Sequence, residues 1–510
     1  MTESISNISL SRLSELISSH MGLHFPTDRW PDIQRGIRSA APEFGFNDAG
    51  SCIQWLLSEP LTRNQIEILA SHITVGETYF FREKPLFDTL REHILPELIH
   101  PRRENGRLLR IWSAGCATGE EPYSIAILLS KMIPDINDWN VTILATDINP
   151  RFLEKASLGL YKEWSFRNTP PDLKEEYFTK TKENCYKILP QIKRMVQFAY
   201  LNLAEDTYPS LLNDTNAMDL IFCKNVLMYF APEQQKKVIR KLYQVLVDDG
   251  WLAVSPSETS QLLFSQFASV NFPQAILYRK DLYKKDRRPV LPAQDFEPAF
   301  TILEHPLELD LEVEPPLPWP VQSDPDQHPV ARPERQEPEP QLIPEPRPTL
   351  FEEARALYGQ GNYTAAADKL IKSAPDDYQA FALLARVYAN MGQLTEAFEW
   401  CEKAVSADKL NPGAHYLRAT ILQELGQVNE ASASLKRALY LDPDFILAHF
   451  ALGNIASRQG KLKESERHFR NALALLESYG QAEVLPEADG VTVGRLSEII
   501  SLMIERHACV

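Results

Sequence analysis

The spacing of apolar positions changes along the chain, and those changes divide it. In "LSRLSELISSHMGL" (residues 10–23) and "SCIQWLLSEPLTRNQIEILASHI" (51–73) apolar residues recur every three or four positions, which predicts amphipathic helices. An N-terminal helical domain is expected over residues 1–95. From residue 108 to about 280, short β-rich runs alternate with helical ones. "LLRIWSA", "VTILATD", "AMDLIFCKN" and "GWLAVSP" read as strands, and "EPYSIAILLSKMI", "NPRFLEKAS" and "PEQQKKVIRKLYQVL" as helices. This alternation predicts an α/β fold over 96–282, a doubly wound parallel sheet with helices on both faces. Two strand-like runs in "YFTKTKENCYKILPQIKRMVQFAYLNL" predict a small inserted β-subdomain at about 176–200.

The pattern then fails and returns in a third form. Residues 283–349, including "EPPLPWPVQSDPDQHPVARPERQEPEPQLIPEPRP", hold too few apolar side chains to offset the entropy of ordering. A disordered, proline-rich spacer with extended polyproline segments is expected there. After it, Gly392, Gly426 and Gly460 recur every 34 residues. Ala385, Ala419 and Gly453 precede them at a fixed offset. Ala397, Ala431 and Ser465 follow at another, and Ala404, Ala438 and Ala472 at a third. Small residues so placed let two helices pack closely, the signature of tetratricopeptide repeats. Units are expected at 378–411, 412–445 and 446–479, with a degenerate unit before them from residue 350 and a C-terminal tail at 481–510. Such an α-solenoid presents a concave surface to a protein partner.

Composition narrows the class. Net charge is −16, and the stretch 286–350 supplies 14 acidic residues against 5 basic ones, with 16 of the 37 prolines. That excess argues against nonspecific DNA binding, while leaving room for a local basic patch. Six scattered cysteines without a CxxC pair predict reduced thiols, with neither a disulfide frame nor a metal site. The first residues lack the basic start and apolar core of a secretion signal, and no apolar run is long enough to insert in a membrane. A cytoplasmic, monomeric, multidomain protein is expected.

The candidate chemistry lies where "RIWSAGCATGEEPYSIAILL" (110–129) breaks between a strand and a helix. Gly115 and Gly119 permit a tight turn and close approach of a ligand. Glu120 and Glu121 occupy the helix N-terminus, where a pyrophosphate would otherwise bind, and would repel it. Asp147 closes the next strand, a position suited to ribose hydroxyls. A nucleoside with positive charge and no pyrophosphate fits this set, which points to S-adenosylmethionine.

Four blocks, "ITVGETYFFRE", "IWSAGCATGEEPYSIAI", "ATDINPRFLEKASLGLY" and "LIFCKNVLMYF", resemble the CheR family of chemotaxis-receptor methyltransferases, and "SPSET" resembles a later family block more loosely. The proline-rich linker and repeat tail are similar to those of the methyltransferases of Wsp-type surface-sensing systems. The resemblance implies transfer of a methyl group from S-adenosylmethionine to glutamate side chains of methyl-accepting chemoreceptors. It implies cofactor contacts at Gly76, Thr78, Arg82, Glu121, Asp147, Asn202, Leu203, Lys224 and Asn225, with Arg82 and Tyr229 catalytic. Gly76 and Lys224 depart from the common Asn and Arg of the family. In the small β-subdomain "TKTKENCYKILPQIK" lacks the glycine of the loop that grips a receptor's terminal pentapeptide, so tethering of that kind is expected to be absent. Arg35 and Arg38 share a helical face, read as solvated or as meeting acidic receptor residues. A catalytically weak scaffold acting through its repeats, and an enzyme with another acceptor, are the alternatives.

Overall fold

A computed structural model of the chain describes residues 5–104, 106–281, 349–373 and 377–508. The expected linker at 283–349 lies, apart from Thr349, outside the described residues. Four helices, Asn7–Met21, Trp30–Ala40, Ala49–Leu56 and Arg63–Ile73, form the N-terminal domain. Ser6, Asp48 and Thr62 cap the first, third and fourth by accepting from backbone N–H groups of the first turn. Leu10, Leu13, Ile17, Ile33, Ile37, Ile53 and Leu69 fill the core between them. The next helical stretch runs from Lys84–Thr89 through a widened turn, Leu90–Ile94, to Leu95–Arg102. Leu86, Leu90, Ile94 and Leu98 join the core under the sheet and not that of the first four helices. The N-terminal core therefore ends near Ile73, some twenty residues before the expected boundary, because apolar period alone does not say which neighbour a helix packs on.

Ten strands follow: β1 Leu108–Ala114, β2 Asn140–Asp147, β3 Leu160–Tyr161, β4 Phe178–Lys180, β5 Tyr186–Ile188, β6 Val196–Tyr200, β7 Met218–Phe222, β8 Leu246–Ala253, β9 Ala268–Phe272 and β10 Ala275–Arg279. Seven make one sheet in the order β6-β2-β1-β7-β8-β10-β9. Its first five strands are parallel, while β10 runs antiparallel to both β8 and β9. The chain winds outward in both directions from β1, so a crevice opens at the carboxyl ends of β1 and β7. β3, β5 and β4 make the small second sheet. The expected subdomain at 176–200 is corrected in one respect: Val196–Tyr200 leaves it and pairs with β2 at the edge of the main sheet. Strand-like composition does not name a strand's neighbour. The β4–β5 turn closes without glycine because Asn184 takes a positive φ of 60°.

The repeats form helix pairs: Leu350–Gly359 with Tyr363–Lys372, Tyr378–Asn390 with Leu394–Ala407, Pro412–Glu424 with Val428–Leu441, and Ile446–Arg458 with Leu462–Leu476. Gly392, Gly426 and Gly460 each adopt φ near +74°, ending the first helix of a pair in a left-handed turn. A Cβ at Gly453 would lie 2.4 Å from the Phe469 ring, so only glycine allows that crossing. Ala385, Ala397, Ala404, Ala419, Ala431, Ala438 and Ala472 are fully buried. The expected tail instead contains a helix, Val493–Ala508, whose Val493, Leu496 and Ile500 complete the core of the last pair.

The repeats pack directly on the sheet domain. Arg458 pairs with Asp214 at 3.1 Å and Arg495 with Asp206 at 2.8 Å. The Tyr363 hydroxyl donates to the Gln244 carbonyl at 2.7 Å, and the fully buried Lys280 donates to the Leu246 and Gly361 carbonyls. No helix of the described residues is long and apolar enough to cross a membrane.

Candidate active site

β1 ends in a turn that the sequence makes sharp. Gly115 has φ +80°, and the N–H groups of Gly115 and Cys116 donate to the Thr146 carbonyl at 2.8 and 2.9 Å. A Cβ on Gly115 would come 2.3 Å from Val226 Cγ2. Gly119, at φ +91°, then opens the helix Glu120–Met132. Four non-glycine residues beside this turn, Phe81, Glu83, Ala117 and Asn225, also have positive φ, a strain that tends to gather at functional sites.

The two glutamates of the turn do different jobs. Glu120 is buried and accepts from the hydroxyls of Thr118 and Ser165, so it is structural. Glu121 faces the other way. It accepts from the Ser113 hydroxyl at 2.8 Å, and its second oxygen lies 3.5 Å from Lys224 Nζ. Lys224 also reaches Glu83 at 3.3 Å and donates to the Arg82 carbonyl at 3.3 Å. Burial raises the Glu83 carboxyl, while Lys224 opposes that rise.

Asp147 ends β2 in the wall of a cleft that encloses about 810 Å³ of non-protein space, its open mouth included. Its oxygens accept from the N–H groups of Ala117 and Asn149, each at 2.9 Å. Burial pushes its pKa up to about 6 against the backbone N–H groups of Asn149, Ala117 and Ile148, which lower it. Leu203, Asn225 and Tyr229 line the same cleft, with Phe25, Phe152 and Leu201 as apolar wall. The Tyr229 hydroxyl, the Asn225 side-chain amide and the Thr78 hydroxyl bond no described residue.

The expected residues thus fall into two adjoining groups. Asp147, Asn202, Leu203, Asn225 and Tyr229 line the cleft. Glu121 and Lys224 form the polar cluster next to it, with Arg82 joined through its carbonyl. Gly76 packs on Phe152, where a Cβ would come 2.4 Å from the ring. Thr78 is half-buried on the segment leading into Tyr79. The Asn202 side chain is already committed: its amide donates to the His20 carbonyl at 2.6 Å and its oxygen accepts from Ala204 N–H at 3.0 Å. The Arg82 guanidinium turns back to the Glu77 carbonyl at 2.7 Å and does not line the cleft. Arg35 is exposed and paired with Asp32, and Arg38 is exposed. Among the described residues no group of three His, Cys, Asp or Glu side chains could hold a metal ion.

Three further residues escaped the sequence reading. Glu258, in "SPSET", accepts from the N–H groups of Asn225, Val226 and Met228 at 2.7, 2.8 and 3.1 Å and so fixes the loop carrying Asn225 and Tyr229. Asn149 caps helix Pro150–Leu158 and donates to Thr74 Oγ1 at 2.9 Å, tying the end of the helical domain to β2. Arg29 lines the cleft with its guanidinium 5.0 Å from the Phe25 ring centre and 5.7 Å from that of Tyr229. The loosely matching "SPSET" block was the one available hint for Glu258. For Arg29, on a short helical turn, there was no signal. The N-terminal domain is itself anchored here, since His24 N–H donates to the Tyr229 carbonyl at 2.7 Å.

These residues fit S-adenosylmethionine. The glycine cradle admits a close ligand, the carboxylates of Asp147 and Glu121 match hydroxyls and positive charge, and the free side-chain groups supply further partners. A pyrophosphate would meet Glu121 at the helix end.

Residues 76–276 match the family model for the CheR methyltransferase, SAM binding domain. Residues 419–460 match the model for the TPR repeat, and residues 360–438 that for anaphase-promoting complex, cyclosome, subunit 3. The chain is 35% identical over 254 residues to a chemotaxis protein methyltransferase of Borreliella burgdorferi, an alignment covering 49% of this chain and 87% of that one. It is 32% identical over 216 residues to chemotaxis protein methyltransferase 2 of Vibrio cholerae, covering 42% and 73%. The probable biofilm formation methyltransferase WspC of Pseudomonas aeruginosa is 30% identical over 269 residues, covering 53% of this chain and 61% of the relative.

Proposed function

The chain belongs to the CheR methyltransferase family, and from that premise we propose that it esterifies glutamate side chains of methyl-accepting chemoreceptors, in chemosensory or surface-sensing signalling. The repeats hold a protein partner alongside that activity. The observation that carries this reading is the acidic turn, with Glu121 fixed at the helix end and Asp147 buried in the cleft wall 8% exposed.

When bound, S-adenosylmethionine supplies a methyl group on a positively charged sulfur. Asp147 accepts the ribose hydroxyls, and Leu203 and Asn202 border the base. Glu121, oriented by Ser113 and Lys224, faces the amino group, with Thr78 and Gly76 at the far side. Lys224 keeps Glu83 and Glu121 from repelling one another. Asn225, on the loop that Glu258 clamps, lines the same wall. Tyr229 and Arg82 hold the acceptor carboxylate, Arg82 by swinging its guanidinium away from the Glu77 carbonyl. A free glutamate titrates at about 4.3, so the acceptor is already ionised at neutral pH and needs no base. What remains is orientation and exclusion of water, which the walls of Phe25, Phe152 and Leu201 provide. The glycine-free β4–β5 turn leaves the repeats, and not a grip on a receptor's terminal pentapeptide, as the means of recruitment.

The test is to incubate the full chain with methyl-labelled S-adenosylmethionine and cytoplasmic receptor fragments and to assay base-labile label. Base-labile transfer that stops when the receptor glutamates are replaced by alanine is the expected result. Cofactor binding with no transfer to any receptor would instead make the chain a scaffold acting through its repeats.

A further inference from the structure

The inner face of the repeats is filled by the chain itself. Residues 483–493, "EVLPEADGVTV", form a loop closed by an antiparallel bridge between Val484 and Thr492 and by the Val493 N–H, which donates to the Glu483 carbonyl at 2.8 Å. Leu485 and Ala488 are buried beneath it. The two carboxylates between and beyond them converge on one cation: Arg386, on helix Tyr378–Asn390, donates to Asp489 at 2.5 Å and to Glu487 through its other terminal nitrogen. A Cβ at Gly413 would lie 3.1 Å from the Glu487 carboxylate, so the absence of a side chain there leaves it room.

Two features mark this loop as a ligand and not as filler. Glu487 and Asp489 have φ of 66° and 48°, a backbone that residues other than glycine adopt only when surrounding contacts impose it. The groove also continues past the loop, an open space lined by Phe351, Arg355, Tyr378, Gln379 and Arg386. Arg355 is exposed there and makes no ion pair among the described residues. Aromatic side chains and a second cation beside an Arg386 that already holds two carboxylates suit an acidic chain longer than the one now bound.

We propose that the inner face of the repeats is a binding site for extended acidic peptides that carry two carboxylates two residues apart, and that residues 485–490 occupy it as an internal stand-in. This deepens, and rests on, the reading of the repeats as a partner-binding element. The loop also touches the methyltransferase domain: Asp489 accepts from Leu211 N–H at 3.2 Å and from the Ser210 hydroxyl at 3.4 Å, and the Gly490 carbonyl accepts from Thr207 Oγ1 at 3.3 Å. A partner that takes Arg386 therefore also releases three contacts between the repeats and the sheet domain. Partner binding and docking of the two domains are coupled through one loop.

The probe is a fluorescent eleven-residue peptide copying residues 483–493, titrated into the full chain. It binds E487Q/D489N protein at least tenfold tighter than the unaltered protein, whose own loop competes. The same peptide with Gln in place of its Glu487 and Asn in place of its Asp489 binds the variant at least tenfold more weakly. Equal affinity for both proteins, or for both peptides, overturns the proposal. Should the variant fail to fold, the unaltered protein still decides: excess acidic peptide speeds cleavage at Glu487 by a glutamate-specific protease, and no acceleration overturns the proposal. Receptor capture by the repeats with no response to either peptide sinks the acidic groove alone. Peptide binding without any effect on receptor capture upholds the groove and removes the repeats from receptor recruitment.

Discussion

Arg110 and Glu424 form a buried ion pair that joins β1 of the sheet to the repeat helix Pro412–Glu424, with side chains only 5% and 8% exposed. The same guanidinium donates to the carbonyls of Asn216 at 3.1 Å and Asp214 at 2.9 Å, so its donors are shared between the partner acid and the sheet domain. Beside it, the Asn140 amide donates to the Glu424 carbonyl at 3.2 Å. The repeats are thus held to the strand from which the cofactor turn grows.

Replacing Glu424 by Leu leaves a cation buried without its counter-charge. Removing one partner of such a pair costs roughly 3–5 kcal/mol, and the two remaining carbonyls place this case near the lower end. The double replacement R110M/E424L should cost less than E424L alone, because no unpaired charge is then left buried at this point of the interface. Urea unfolding followed by tryptophan fluorescence orders the three proteins.

Asp147 makes cofactor affinity depend on pH. Burial holds its folded pKa at about 6, above the ordinary carboxylate value. Ionising it therefore costs the free protein stability as pH rises through that window, and ribose hydroxyls, which need the carboxylate, repay the cost on binding. Affinity should rise by up to about tenfold per unit below pH 6 and level off above about pH 7. Titration calorimetry of the unaltered protein and of D147N checks this, with D147N binding weakly and without the slope.

Glu258 supports the loop of Asn225 and Tyr229 through three backbone donors. E258A leaves those N–H groups buried without acceptors, at about 1–3 kcal/mol each before water enters. A fall of at least tenfold in methyl transfer, together with a lowered melting temperature, is expected. E258Q keeps one acceptor oxygen and should lie between. Steady-state kinetics and thermal melts on the same preparations separate the positioning loss from unfolding.

At Gly115 a methyl group meets Val226 and a φ that alanine resists. G115A should weaken cofactor binding at least tenfold. Adding V226A relieves the clash but not the backbone strain, so recovery should be partial. Full recovery in a calorimetric titration would show that φ is unimportant there.

The repeat glycines and alanines, the strand–helix alternation and the acidic turn were legible because each is a local necessity: a left-handed cap, a close helix crossing, a strand meeting a helix end. Asp147 could be read for the same reason, as a carboxylate at a strand end. The clamp of Glu258, the place of Arg29 beside Tyr229 and the tie of Asn149 to Thr74 could not, because each joins groups that are distant in the chain. Nor could the division of labour between Glu120 and Glu121, which depends on the hydroxyls of Ser165 and Ser113 that reach them.

The sequence by itself determined most of the elements, their order and the chemistry of the turn, since period, capping and left-handed glycines act over a few residues. Tertiary structure alone decided that Val196–Tyr200 joins the main sheet, that the repeats lie against β1, and that their groove is closed by residues 485–490. Those outcomes rest on pairings such as Arg110 with Glu424, 314 positions apart, and Arg386 with Glu487. Charge attraction and burial select such partners only once the chain has brought them together.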